Sequence, residues 1–305
     1  MYKLTTKDFA SMLREDESFF SKASFSGIEK AGFEYDKVTG NDRDQIILDI
    51  LNRIDSPDLK VCGPHRRDEW DEGWAENLRD FSATADIDEL APRYFRVSQT
   101  LRIKRSYVLP QTPNFLRTFH ALFCRIIFER YFSEMSAIWE FGCGTGHNLL
   151  LAAEVMPGKP LTGLDWAASS VALVENLREY GNISGRLFDM FSPDFGLPVP
   201  ENSAFLTVHA MEQLGKGYGP FLDFILIKKP SRCVHIEPVV ELYEETNLLD
   251  YLAAKYHRRR GYLEDFLPAL YRLQENGKIE IEKVARSFVG SVYDEGYSLI
   301  VWRPL

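Results

Sequence analysis

Three glycines at alternate positions constrain this chain more than anything else in it. The stretch Ile138-Trp139-Glu140-Phe141-Gly142-Cys143-Gly144-Thr145-Gly146-His147-Asn148-Leu149 reads as an apolar strand, a glycine loop and the start of a helix, Leu149 to Met156. Glycine permits the sharp turn and lets a ligand approach the backbone, and the following helix offers free N–H groups. A dinucleotide fingerprint, G-x-G-x-x-G, would need its third glycine where His147 stands, and no Gly-Lys-Ser/Thr follows to cradle a triphosphate. The spacing is therefore wrong for NAD and for ATP. Glu140, just before the loop, suits a cation better than a pyrophosphate.

From residue 137 onward short apolar runs alternate with helical stretches. The runs are Ala137–Phe141, Leu161–Leu164, Arg186–Phe188, Ala204–Val208, Cys233–Ile236, Ile279–Ser287 and Ser298–Trp302. Strands alternating with helices predict an α/β fold, a doubly wound, Rossmann-like sheet of seven strands with helices on both faces. The last two runs, joined through Gly290 and Gly296, are expected to pair antiparallel at one edge. Residues 1–112 read as a mainly helical N-terminal cap that recognises substrate, and 113–305 as the cofactor-binding domain, with a helical insertion at about 240–275.

Position for position, Glu140-Phe141-Gly142-Cys143-Gly144-Thr145-Gly146 resembles the E/D-x-G-x-G-x-G signature of class I S-adenosylmethionine-dependent methyltransferases. The resemblance covers about residues 115–305 and implies S-adenosylmethionine as cofactor, held by Glu140, Gly142, Cys143, Gly144, Gly146 and Asn148. Asp165 ends the second strand nineteen residues after Gly146, where the resemblance implies a grip on the ribose, with Trp166 against the adenine. Asp189 ends the third and is implied to meet the adenine amino group, with Met190 packing on the ring.

Candidates for the chemistry lie at the ends of the next two strands. His209 falls at the carboxyl end of the fourth, where a histidine can take a proton from a hydroxyl or amine. His209-x-x-Glu212-Gln213 is similar to the E-x-x-E-H pattern of some ubiquinone-pathway O-methyltransferases, but the first acid and the final histidine are replaced, so no metal is expected. On the fifth strand His235 and Glu237 share one face by the period-two rule and form an acid/base candidate, Glu237 being the better placed. Trp70, Trp74, Tyr94 and Tyr107 are candidates to line the cleft. The basic segment with Arg93, Arg96, Arg102, Lys104 and Arg105, and the Arg258–Arg260 run, are where an anionic acceptor would be met.

Composition narrows the acceptor. The 305 residues carry 36 Lys+Arg and 45 Asp+Glu, a formal charge of −9, which disfavours nucleic acid. No run of eighteen or more apolar residues spans a membrane, and the N-terminus lacks the apolar core of a secretory signal. Four scattered cysteines fit reduced thiols in the cytoplasm. The expectation is methylation of a small polar metabolite, O-methylation of a sugar or related hydroxyl compound first, assisted by His209. N-methylation, a protein substrate, and an inactive cofactor-binding interaction protein are the alternatives. A homodimer is compatible with everything above.

Overall fold

The computed structural model describes residues 1–92, 95 and 99–305. Arg93, Tyr94 and Arg96 of the basic segment lie outside the described residues.

The N-terminal region is less helical than its sequence reads. Strands β1 (Tyr2–Lys3), β2 (Glu34–Lys37), β3 (Leu101–Ile103) and β4 (Ser106–Pro110) alternate with helices α1 (Thr6–Leu13), α2 (Lys22–Lys30), α3 (Gly40–Asp55) and α4 (Arg67–Thr84). The strands are two to five residues long, and β2, Glu-Tyr-Asp-Lys, buries only Tyr35, so they lack a readable alternation. With β11 (Val289–Gly290) they form a sheet in the order β1-β2-β4-β3-β11. Its last strand thus comes from the far end of the chain, pairing Val289 with Ile103 and Gly290 with Arg102.

After α5 (Phe115–Tyr131) comes the doubly wound part, with β5 (Ala137–Phe141), α6 (His147–Val155), β6 (Leu161–Asp165), α7 (Ala168–Glu175), β7 (Ile183–Leu187) and β8 (Ser203–Val208). Helix α8 (Gly219–Lys228), β9 (Arg232–Glu237), α9 (Leu248–Arg260), α10 (Phe266–Glu275), β10 (Ile279–Ala285) and β12 (Ser298–Pro304) complete it. The sheet order is β10-β12-β9-β8-β5-β6-β7, with β5 to β9 parallel and β12 antiparallel to both neighbours. This is the seven-stranded sheet with a terminal antiparallel pair that the sequence predicts. Period-two alternation splits the core. Ile138, Leu206, Val234 and Val301 face α5, α6 and α7, whereas Trp139, Phe141, Phe205 and Trp302 face α8 and α10. The order reverses between β5 and β8, and ligands in open α/β sheets bind beyond the carboxyl ends at such a switch point. No helix among the described residues is long and apolar enough to cross a membrane.

The two sheets are tied by buried charge. Arg102 on β3 and Arg286 both reach Asp250 on α9 and Glu295, and all four side chains are at most 5% exposed. Asp250 also accepts the Glu244 N–H at 2.9 Å. Removing one member leaves an excess of buried charge of the opposite sign, at a cost of about 3–5 kcal/mol. Asp250→Ala is therefore expected to lower the urea midpoint of the whole chain strongly. An unchanged midpoint would show that the network does not couple the sheets.

Candidate active site

At the glycine loop the backbone leaves no room for side chains. Gly142 has φ +70°, and a Cβ there would lie 2.5 Å from the Ala210 Cβ; Gly144 has φ +52°, and its Cβ would lie 2.9 Å from the Trp74 ring. The roof over the loop is α4. Its Trp70 and Trp74 stack at 5.6 Å, Asp71 accepts the Ser169 N–H at 2.9 Å, and Arg67 donates to the Trp166 carbonyl at 3.0 Å. The Thr145 hydroxyl donates to the Leu90 carbonyl at 2.7 Å. The N-terminal region thus covers the loop with Trp70 and Trp74.

Two cavities meet at Trp70, Trp74, Gly142, His209 and Gln213. The smaller, about 540 Å³, is walled by Trp166, Phe188, Met190, Phe191 and Leu214, with Asp165 at one side. Trp166 stacks on Phe191 at 5.7 Å. The Asp165 carboxylate accepts the N–H groups of Gly144 and Ala167, both at 3.0 Å. Burial raises its pKa to about 6, against those bonds. Asp189 stands off the wall. Its carboxylate accepts the Phe191 N–H at 2.8 Å and shapes the turn, leaving the lining to Met190 and the rings around it.

The larger cavity, about 1240 Å³, runs from the loop residues Gly142, Cys143, Gly144 and Asn148 to Glu212, Tyr256, Arg260, Tyr262 and Asp294. Glu140 lies behind it. Its carboxyl, fully buried, accepts from Asn148 at 2.7 Å, while Asn148 accepts in turn from His120 at 2.7 Å. Burial pushes the Glu140 pKa up to about 8.

His209 lines both cavities, with φ +53° and its ring edge-on to Tyr297 at 5.1 Å. Burial lowers its pKa to about 3, so it is a neutral, weakly basic imidazole rather than one poised near neutrality. His235 is not brought to the cavities. Trp302 Nε1–H donates to its Nε2 at 2.9 Å, which assigns the proton to Nδ1 and makes that atom the donor to Thr207 Oγ1, also at 2.9 Å. Thr207 in turn bonds the Glu237 carboxylate. Glu237 is buried behind the loop after β8, where it accepts the N–H groups of Ala210 at 3.0 Å, Met211 at 3.1 Å and Glu212 at 3.3 Å. Both residues position the loop that carries His209 and Glu212; the face they share is the core face, not the cleft.

The basic candidates divide. Arg102 is spent in the buried network, Lys104 pairs with Asp8, and Arg105 pairs with Glu244 at 2.8 Å. Arg258 pairs with Glu245 at 2.6 Å, whereas Arg260 faces the larger cavity. Tyr107 is buried in a cluster with Ile50 and Tyr256 and lines neither cavity. Sequence reasoning passed over Asp294, Tyr256, Tyr262 and Arg66 on the cavity wall, because nothing in their spacing relates them to the glycine loop.

No protein-family model matches the chain, and no curated protein matches it. Solved structures do. The structure described as PigF with SAH is 17% identical over 78% of this chain and 72% of its own, at a TM-score of 0.47. N-methyltransferase NodS from Bradyrhizobium japonicum WM9, in complex with S-adenosyl-L-homocysteine, is 14% identical over 76% of this chain and 98% of its own, at 0.45. Human N-acetylserotonin methyltransferase in complex with SAM is 14% identical over 62% of this chain, which spans 52% of it, at 0.46. Similarity this distant assigns no activity.

Glu140 and Glu237, raised to about 8 and about 7 by burial, hold their protons more tightly folded than unfolded, where the value is 4.5. Folding takes up protons in that window, so stability falls as pH rises from about 4.5 through the folded values. Glu140→Gln is expected to flatten this decline in urea unfolding between pH 5 and pH 8. An unaltered slope would show that Glu140 ionises freely in the folded protein.

Proposed function

We propose that this chain is an S-adenosylmethionine-dependent methyltransferase of a small polar acceptor. The observation that carries the reading is the smaller cavity, which joins the glycine loop at the switch point to a slot of Trp166, Phe188, Met190 and Phe191 with a buried acid beside it. A slot of such apolar and aromatic lining suits a flat adenine, and Asp165 suits ribose hydroxyls, which would replace the Gly144 and Ala167 N–H groups as its partners. Gly142, which lines both cavities with His209, would stand beside the donor's sulfur end. When bound, S-adenosylmethionine supplies a methyl group activated by its sulfonium.

The residues of the chain hold, shield and orient. Trp70 and Trp74 close the site from water above the loop, favouring near-attack geometry. His209 stands where the cavities meet, within the reach of an acceptor in the larger one. Neutral at pH 7, it accepts a hydrogen bond from a hydroxyl or amine and orients it. O-methylation is the first reading and N-methylation the second. The four cysteines are free and buried, in keeping with a cytoplasmic enzyme.

Calorimetry with S-adenosylmethionine and with NAD tests this reading. Binding of the former alone is expected, with Asp165→Ala weakening it about tenfold or more, the worth of a charge-assisted bond. Binding of NAD, or no binding of S-adenosylmethionine, would contradict it.

A further inference from the structure

The far end of the larger cavity holds opposite charges that the protein itself leaves apart. Arg260, at the C-terminal end of α9, lies over the Tyr262 ring at 4.7 Å and the Tyr256 ring at 5.9 Å. It donates to the Tyr256 hydroxyl at 3.3 Å, and its Nε has no partner. Among the described residues no carboxylate lies within 4.0 Å of its guanidinium, although nearly every other arginine around the site is so paired. Glu212 and Asp294 line the same cavity. Gln213 donates to Glu212 at 2.8 Å, and the Ser291 hydroxyl donates to Asp294 at 2.9 Å, but neither carboxylate has an ion-pair partner among the described residues. Desolvation, with Asp294 and Glu237 nearby, drives the Glu212 carboxyl well above its ordinary value, a cost that a ligand cation would relieve. His147, also on this wall, is only 8% exposed, yet neither ring nitrogen has a hydrogen-bond partner.

Two carboxyl groups without ion-pair partners, a guanidinium met only by tyrosines and an unsatisfied buried imidazole around one chamber are a cost unless a ligand answers them. A purely anionic ligand would answer Arg260 and leave the acids; a purely cationic one would do the reverse. We infer that the chamber takes a zwitterion resembling an aromatic amino acid, its oxyanion on Arg260 and its ammonium toward Glu212 and Asp294. The guanidinium fork favours a planar carboxylate or a phosphate. The ring of the ligand finds Trp70 and Tyr297 on the same wall. This rests on the methyltransferase reading only in naming the zwitterion as the acceptor; the charge pairing stands without it.

The test is calorimetry on the full chain, with and without S-adenosylhomocysteine. The probes are tyrosine, tyramine without the carboxylate, 3-(4-hydroxyphenyl)propionate without the amine, and 1-amino-2-(4-hydroxyphenyl)ethylphosphonate, with a phosphonate in place of the carboxylate. Tyrosine or its phosphonate analogue is expected to bind about tenfold or more tightly than either singly charged probe. Which of the two binds tells carboxylate from phosphate. Arg260→Leu should abolish the preference over tyramine, Arg260→Lys should restore part of it, and Glu212→Gln should abolish the preference over the propionate. All three should bind S-adenosylhomocysteine as the wild type does, which also shows that they fold. No binding by any probe, or preferences that survive both substitutions, would overturn the zwitterion. Failure of S-adenosylhomocysteine to bind the wild type would instead overturn the cofactor reading.

Discussion

Everything at the site depends on how close other parts of the chain come to the glycine loop. Ala210, from the loop after β8, and Trp74, from α4, sit where Cβ atoms of Gly142 and Gly144 would be. A residue with a side chain would have to push them away and would adopt a positive φ at a cost of about 1–2 kcal/mol. That one exclusion sets the height of the roof, the position of His209 and the place where the two cavities join.

The parts that approach the loop are themselves held from behind. A line of hydrogen bonds from Trp302 through His235 and Thr207 to Glu237 ends on three N–H groups at the start of the segment carrying Glu212. On the other side the Arg102–Asp250–Arg286–Glu295 network fixes α9, and with it Arg260, against the small sheet. Rigid supports of this kind let opposite charges stay separated across a cavity, where flexible ones would let them collapse into a pair.

The doubly wound sheet was legible because its strands are continuous apolar runs and its loop has a spacing with few other uses. Asp165, Trp166 and Met190 followed from that frame and line the smaller cavity. Asp189 accepts the Phe191 N–H and His235 accepts from the Trp302 indole, partners that could not be read in the sequence because strand position tells which way a side chain points but not which backbone N–H or indole lies beside it. The small N-terminal sheet escaped notice since its strands are too short to alternate and one of them comes from residues 289–290. Arg260 was distinguishable from Arg258 only in three dimensions, where Glu245 takes the latter. Histidine at a strand end suggested a titration near neutrality, and burial moved it out of range.

A crystal structure of the protein with S-adenosylhomocysteine tests the central claim most directly. The adenine is expected against the wall of Trp166, Met190 and Phe191, the ribose hydroxyls on Asp165, and the sulfur beside Gly142 facing His209 and the larger cavity. An adenine bound elsewhere, or an Asp165 carboxylate still held by Gly144 and Ala167 with the ribose out of reach, would contradict it.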